Sequence, residues 1–232
     1  MAHPTVRGGR GWAALLAAAA LLAAAPGAAS SQELADFDYE NLSFRGLGLD
    51  WGYMWPSRVE TTQSYGIRLD LGYLGPGLRI VPFAGYWSSP FKAGEVRELE
   101  DRVARLVQRQ TGDPPPSVDL GVIEWSDVTA GVDAQVVWRV PFGLLTFAGA
   151  GAAVHLLNGD GAAVNGTFVE DLLDSVTAGF NLHAGAEYPL SRRFRIHTQG
   201  RYEILEDLQF FQIKAGLQIM VGSPAPGEEG PR

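Results

Sequence analysis

The chain has no cysteine among its 232 residues. Disulfides, which staple many exported proteins, are therefore excluded, and stability has to come from packing and hydrogen bonding. Anchoring through a lipidated N-terminal cysteine is excluded too. Basic residues are scarce, 18 Lys and Arg against 26 Asp and Glu. Nucleic acid is not an expected partner, because phosphate binding needs cations clustered on one face. Long apolar runs are also missing. The longest, Trp12 to Ala25, has about 14 residues, short of the roughly 20 that a spanning helix requires.

That run has a different meaning. Arg7 and Arg10 precede it and small residues from Gly27 to Ser31 follow it. The order basic, apolar, small is that of a secretory signal peptide, with cleavage expected near Ala29 or Ser30. Losing Arg7 and Arg10 leaves 16 basic residues against 26 acidic ones, a formal charge of −10.

The rest of the chain alternates. In "FFQIKAGLQIMV" (Phe210 to Val221), Phe211, Ile213, Ala215, Leu217, Ile219 and Val221 share one parity, and Gln212, Lys214 and Gln218 the other. Successive side chains of a strand point to opposite faces, so this is a strand with one apolar and one polar side. Eight such segments are legible: Leu42 to Trp55, Thr62 to Leu74, Leu78 to Trp87, Trp125 to Val140, Leu144 to Leu157, Ser175 to Tyr188, Phe194 to Leu205 and Leu208 to Val221. Many have the length that a tilted membrane strand needs. The third and fifth have blurred alternation, at Pro82 and at "AGAGAA", and their facing stays unassigned.

Tight links, "GPG" at Gly75 to Gly77, "PFG" at Pro141 to Gly143 and "PLSRR" at Pro189 to Arg193, alternate with links that are mostly longer. Short turns at one end and long loops at the other are the asymmetry of an outer-membrane barrel. Aromatics near segment ends (Trp51, Tyr53, Trp55, Tyr65, Tyr73, Tyr86, Trp87, Trp138, Tyr188) suit interfacial girdles. The expected fold is all-β, an eight-stranded antiparallel transmembrane β-barrel with a short helix in an extracellular loop.

On these features the chain resembles the small eight-stranded outer-membrane barrels of the OmpA and OmpX type, over almost all of its mature length. Precursors of this class resemble one another in a closing-strand signal for the barrel assembly machinery: a polar residue, any residue, Gly, two of any kind, a hydrophobe, one more, and a hydrophobe. Lys214, Gly216, Ile219 and Val221 fit it, although Val221 is not the usual aromatic and "GSPAPGEEGPR" continues beyond it. The resemblance implies a bacterial outer-membrane location, with outer-membrane lipid and lipopolysaccharide as surroundings. The expected organisation is a signal peptide over 1–30, a periplasmic segment over 31–41, the barrel over 42–221 and a flexible periplasmic tail over 222–232.

An eight-stranded barrel is just wide enough for side chains to fill it. Asp50, Asp70, Asp133, Glu187 and Glu203 are expected inside with Arg68, Arg139, Arg195, Arg201 and Lys214, five acids against five bases. Buried charge is costly unless paired, so a salt-bridged plug is expected in place of a wide channel. Between the third and fourth segments, Val96, Leu99, Val103 and Leu106 recur at helical spacing, with Glu98 and Arg102, and Asp101 and Arg105, set for i to i+4 pairing. This describes an amphipathic helix over Gly94 to Gln110. The 118–124 segment either lengthens the fourth strand or forms a separate flap.

Catalytic signals are thin. Lipid A deacylases carry a Ser two residues after a His, whereas His155, His183 and His197 are followed there by Leu157, Gly185 and Gln199. His183 and His197 suit lumen hydrogen bonding. "NGDG" lacks the remaining acids of a calcium loop, and Asn41-Leu-Ser and Asn165-Gly-Thr are incidental acceptor matches for a bacterial protein. No enzyme, metal or cofactor is expected. The role anticipated is structural or surface-binding, with an extracellular ligand or protein meeting the outer loops at Lys92 to Ser117 and Asn158 to Asp174. A narrow pore is the alternative, and a lipid-modifying enzyme comes after it.

Overall fold

The computed structural model describes residues 42–75, 77–112, 114 and 117–221. The expected signal peptide, the 31–41 segment, Asn41 and the 222–232 tail lie outside the described residues. Nine strands form: β1 (Gly46–Pro56), β2 (Thr62–Asp70), β3 (Tyr73–Gly75), β4 (Leu78–Pro90), β5 (Glu124–Val140), β6 (Leu144–Asp160), β7 (Ser175–Pro189), β8 (Phe194–Ile204) and β9 (Gln209–Met220). Among the described residues two α-helices interrupt them, α1 (Ala93–Thr111) and α2 (Phe168–Leu173).

β3 continues β2 after a break at Gly72, whose φ of 75° favours glycine, and both strands pair antiparallel with β4. The nine strands therefore make eight staves. Each stave pairs with its sequence neighbours, and β1 pairs with both β2 and β9, so the sheet closes into an antiparallel barrel. All eight anticipated segments fall on one stave each. The largest shift in bounds is in the first, which starts at Gly46 and not at Leu42.

The side-chain distribution is inside out. Leu49, Trp51, Tyr65, Ile67, Phe180, Leu182, Ile196, Phe211, Ile213 and Leu217 are exposed on the barrel wall, while arginines, carboxylates and histidines are buried within. Such a surface cannot face water as a soluble sandwich would; it is the distribution of a membrane barrel. Seven of the expected girdle aromatics lie on this wall. Tyr73 and Trp87 do not, because their parity turns them inward, and both are buried.

The blurred strands resolve. In β4 the inward side carries Arg79, Val81, Phe83, Gly85, Trp87 and Ser89, and Pro82 faces out opposite Val132. In β6 the inward side runs Leu145, Phe147, Gly149, Gly151, Ala153, His155 and Leu157. Its glycines leave room for neighbours: a Cβ on Gly151 would run into the Asp133 and Asn181 side chains. The alternation looks blurred because small residues stand where polar ones were expected.

The lumen is layered. At the loop end Met54, Trp87, Trp125, Leu157, Leu205, Leu208 and Phe210 form an apolar plug; at the turn end Tyr73, Val137, Leu145 and Phe147 form another, with the charged residues between them. Above the loop-end plug, Leu99 and Val103 of α1 pack with Leu120, Ile123, Val164, Val169 and Leu173. Phe91 joins the two clusters, stacking on Trp125 at 5.0 Å between ring centres. Val96 packs partly against this upper cluster, but Leu106 is exposed, since the cluster does not extend beneath the last turns of the helix. Among the described residues neither Glu98 with Arg102 nor Asp101 with Arg105 closes to an ion pair within 4.0 Å. The 118–124 question resolves as a flap: Leu120 and Ile123 enter the upper cluster, Glu100 accepts the Leu120 N–H at 2.9 Å, and β5 begins only at Glu124.

One turn is strained. In the three-residue link Pro141–Gly143 between β5 and β6, Phe142 has φ 71° and Gly143 φ 74°, so both are left-handed, a conformation that Gly and Asn adopt more readily than Phe. Phe142 is 95% exposed and no packing compensates its backbone. Phe142→Asn is expected to stabilise the barrel by about 1 kcal/mol, measured by urea unfolding in micelles.

Candidate functional site in the barrel interior

Among the described residues the barrel strands bury six carboxylates, Asp50, Asp70, Asp127, Asp133, Glu187 and Glu203, and five cations, Arg68, Arg79, Arg195, Arg201 and Lys214, while Arg45, just before β1, is buried over the Tyr73 ring. Nine of these eleven strand residues are ones named from the sequence, and Asp127 and Arg79 are additional. Arg139 does not join them. It shares the inward parity of β5 but lies beside the hairpin turn, past the apolar layer, where water reaches it and no partner is required.

The charges divide into two networks, each built about a phenylalanine. Towards the turn end Glu187 is the hub. Arg79 grips it with both terminal nitrogens, at 2.8 and 2.6 Å, Arg68 adds a contact at 3.2 Å and Arg195 lies at 3.7 Å. Arg79 also donates twice to Gln135, at 3.1 and 2.7 Å, and Arg68 to Gln199 at 2.9 Å. The guanidinium groups of Arg68 and Arg79 lie 5.8 and 5.5 Å from the Phe147 ring centre. A planar guanidinium fits a carboxylate in two parallel bonds, which is why arginine and not lysine fills this position. Asp70 completes the group, near Arg79 at 3.7 Å and accepting from Gln218 at 3.2 Å.

Towards the loop end Arg201 pairs with Asp133 and donates to Glu203 at 3.4 Å, and its guanidinium stands 4.1 Å over the Phe83 ring. Asn181 donates to Asp133 at 3.2 Å and contacts His183 Nδ1 through its carbonyl at 2.7 Å. His183 in turn meets Gln135 at 3.2 Å, which links the two networks. His155 lies between carboxylates, with Nδ1 2.8 Å from Asp127 and Nε2 3.3 Å from Glu203. Asp127 also accepts from Trp87 Nε1 at 2.9 Å and from Thr129 at 2.7 Å.

His197 Nε2 meets Asp50 at 2.5 Å, across the seam where β1 joins β9. Gly216 has a packing role there: a Cβ would strike the His197 ring and the Asp50 carboxylate. Its neighbours in the closing-strand motif divide by parity, Lys214 buried inside, Ile219 and Val221 exposed outside.

Parity found Asp50, Arg68, Asp70, Asp133, Glu187, Arg195, Arg201, Glu203 and Lys214, together with His183 and His197. It missed Arg79, Asp127, Gln135 and His155. Arg79 and His155 sit in the two strands whose alternation is interrupted, and extending the parity of Val81 and Phe147 through the interruptions would have reached both. The inward apolar plugs carried no such signal, because an inward tryptophan and an outward one look alike in sequence.

His155 is not placed to act as the base of a hydrolytic triad. Both ring nitrogens of His155 face carboxylates, and the Thr129 hydroxyl approaches Nδ1, the side already taken by Asp127. No nitrogen is left to deprotonate a nucleophile. Among the described residues no group of His, Asp and Glu has metal-binding geometry. A small cavity of about 30 Å³ lies between Phe83, Trp87, Arg201, Glu203, Gln212 and Lys214.

No protein-family model matches the chain, and no curated protein sequence does. Several solved barrels are similar in structure. Neisserial surface protein A is 13% identical with a TM-score of 0.47, over 76% of this chain and 97% of that one. The N-terminal β-barrel domain of Pseudomonas aeruginosa OprF is 12% identical with a TM-score of 0.44, over 75% and 97%. Ail, the attachment invasion locus protein of Yersinia pestis, is 9% identical with a TM-score of 0.41, over 77% and 99%.

Removing the hub should be costly, since it strands buried arginines. Glu187→Ala is expected to lower stability by about 3–5 kcal/mol, whereas Arg139→Ala, at an exposed position, should stay within about 0.5 kcal/mol, both read from urea unfolding of the refolded barrel.

Proposed function

We propose that the chain is a bacterial outer-membrane barrel whose body is a closed, non-conducting and non-catalytic support, and whose β4–β5 and β6–β7 connections face the exterior and meet partners there. One observation carries this reading: along the lumen an apolar plug, the charge network and a second apolar plug succeed one another. A path for ions would need a continuous line of water, and each layer interrupts it.

The exposed apolar wall supports placement in a bilayer, and the expected signal peptide supports export to an outer membrane. The Lys214, Gly216, Ile219 and Val221 motif supports handling by the barrel assembly machinery. Outer-membrane lipid and lipopolysaccharide would then surround the wall.

The cap over the mouth supports a role for the connections. It is a folded unit with its own apolar cluster, fixed to the barrel by Trp125 Nε1 donating to the Leu173 carbonyl at 3.1 Å and by Lys92 Nζ donating to the Pro56 and Ser57 carbonyls at 2.8 Å each. A rigid cap presents side chains at little entropic cost, as a binding surface requires.

In a planar bilayer the refolded barrel, certified by its heat-modifiable gel mobility, should be electrically silent. Steady, reproducible conductance steps would overturn the filled-lumen reading in favour of a narrow pore. Incubated with lipopolysaccharide labelled in its acyl chains, the same preparation should release no label, and release would restore the lipid-modifying alternative.

A further inference from the structure

The barrel strands bury six carboxylates against five Lys and Arg, which leaves their interior one positive charge short. The shortfall has a location. Asp50, Asp70, Asp133, Glu187 and Glu203 each have an arginine within 4.0 Å, whereas among the described residues no Lys or Arg comes that near to Asp127. Asp127 Oδ2 is held by Trp87 Nε1, by the Thr129 hydroxyl and by His155 Nδ1, and its buried Oδ1 has no partner. Burying a carboxylate without counter-charge is costly, and of these three neighbours His155 alone can carry a positive charge.

The hydrogen-bond networks fix where ring protons lie, and they treat the three buried histidines differently. Gln135 gives its carbonyl to Arg79, so its amide nitrogen faces His183 Nε2 and that nitrogen is bare. Asn181 gives its amide nitrogen to Asp133, so its carbonyl accepts from His183 Nδ1, and His183 is neutral. His197 donates from Nε2 to Asp50, and its buried Nδ1 has no acceptor for a second proton. His155 differs from both. Nδ1 faces Asp127 and Nε2 faces Glu203, and a bare nitrogen at either place would set a lone pair against a carboxylate. The Thr129 hydroxyl, 3.0 Å from Nδ1, gives its proton to Asp127.

From a carboxylate without an arginine and a ring with a carboxylate at each nitrogen, we infer that His155 is held as an imidazolium at neutral pH, the sixth cation of the strands, and that its stored proton latches β5, β6 and β8 together beneath the loop-end plug. The charged groups around the ring are Asp127 from β5, Glu203 and Arg201 from β8 and Lys214 from β9. The two bases are matched elsewhere, Arg201 by Asp133, and Lys214 by Asp50 and Asp133. Imidazole is a stronger base than a carboxylate, so the proton between His155 and Glu203 belongs to the ring. Phe210 meets the ring edge-on at 6.5 Å between centres and Trp87 binds the same Asp127 oxygen; both belong to the plug, which places the latch directly under it. Gly179 on β7 makes the space, since a Cβ there would stand 2.6 Å from Nε2. The latch is independent of what the cap binds.

The refolded mature chain, labelled with nitrogen-15 in its histidine rings, is studied by NMR in micelles at about pH 7.5, where a free imidazole is mostly neutral. One ring with two protonated nitrogens is expected, beside two rings that each have one bare nitrogen, and the doubly protonated ring should be missing from His155→Gln. Three neutral rings overturn the inference, as does a doubly protonated ring that survives in His155→Gln. That variant should also lower the midpoint of the heat-mobility shift by about 6–20 °C. Adding Asp127→Asn, which balances the strands again at five acids against five Lys and Arg, should restore most of the loss. A double variant no more stable than His155→Gln overturns the latch. Should His155→Gln fail to refold, Asp127→Asn alone identifies the ring: the doubly protonated signal should give way to one with a bare nitrogen, and its persistence overturns the inference.

Discussion

Everything inside this barrel depends on the absence of water to solvate charge. A sheet of eight staves closed on itself leaves an interior that side chains fill, so each ionised group placed there must find its counter-charge on another stave. Glu187 shows how completely this shapes the structure. It stands on β7 and is held by Arg79 from β4, Arg68 from β2 and Arg195 from β8, so one carboxylate ties together four staves. The choice of arginine, the amides that take up its remaining hydrogens and the phenylalanine beneath the guanidinium groups all follow from the same requirement.

The layers at either end serve that requirement. Apolar side chains at the loop end and the turn end keep water from the network, and in the lower dielectric that results each ion pair is stronger than it would be at a surface. The cap extends the loop-end layer upward. Phe91, stacked on Trp125, carries apolar packing from the lumen into the cluster formed by α1, α2 and the 117–123 flap, so plug and cap form one continuous apolar column.

Much of this was legible in sequence, for a physical reason. A strand with lipid on one side and a charged lumen on the other must alternate, and in β1, β2, β7, β8 and β9 it does. Alternation places Arg68, Glu187 and Arg201 inside without any knowledge of their partners. It is silent where the interior is not polar. Met54, Trp87 and Tyr73 face inward as apolar residues, and Gly149 and Gly151 face inward as none at all, so composition no longer distinguishes the two sides. Arg139 marks the opposite limit: its parity is inward, but parity says nothing of depth, and a residue at the rim meets water. Helical spacing in α1 likewise gives the direction of Leu106 but not where the surface beneath it stops.

The span of the interior contacts in sequence has a consequence for how the molecule comes to exist. His197 meets Asp50 across 147 positions, Gln218 meets Asp70 and Gln212 meets Ser64 across 148, and Arg68 meets Gln199 across 131. No N-terminal portion of the chain can satisfy its own lumen. Until β9 arrives, Asp50 and Ser64 line an open trough with half their partners missing, and a bilayer offers that trough no water in exchange. Such a sheet has no stable half-way stage in lipid, and its high contact order makes closure slow. The last strand of the barrel is therefore the one that completes the lumen contacts of the first two, Gln218 meeting Asp70 and Gln212 meeting Ser64.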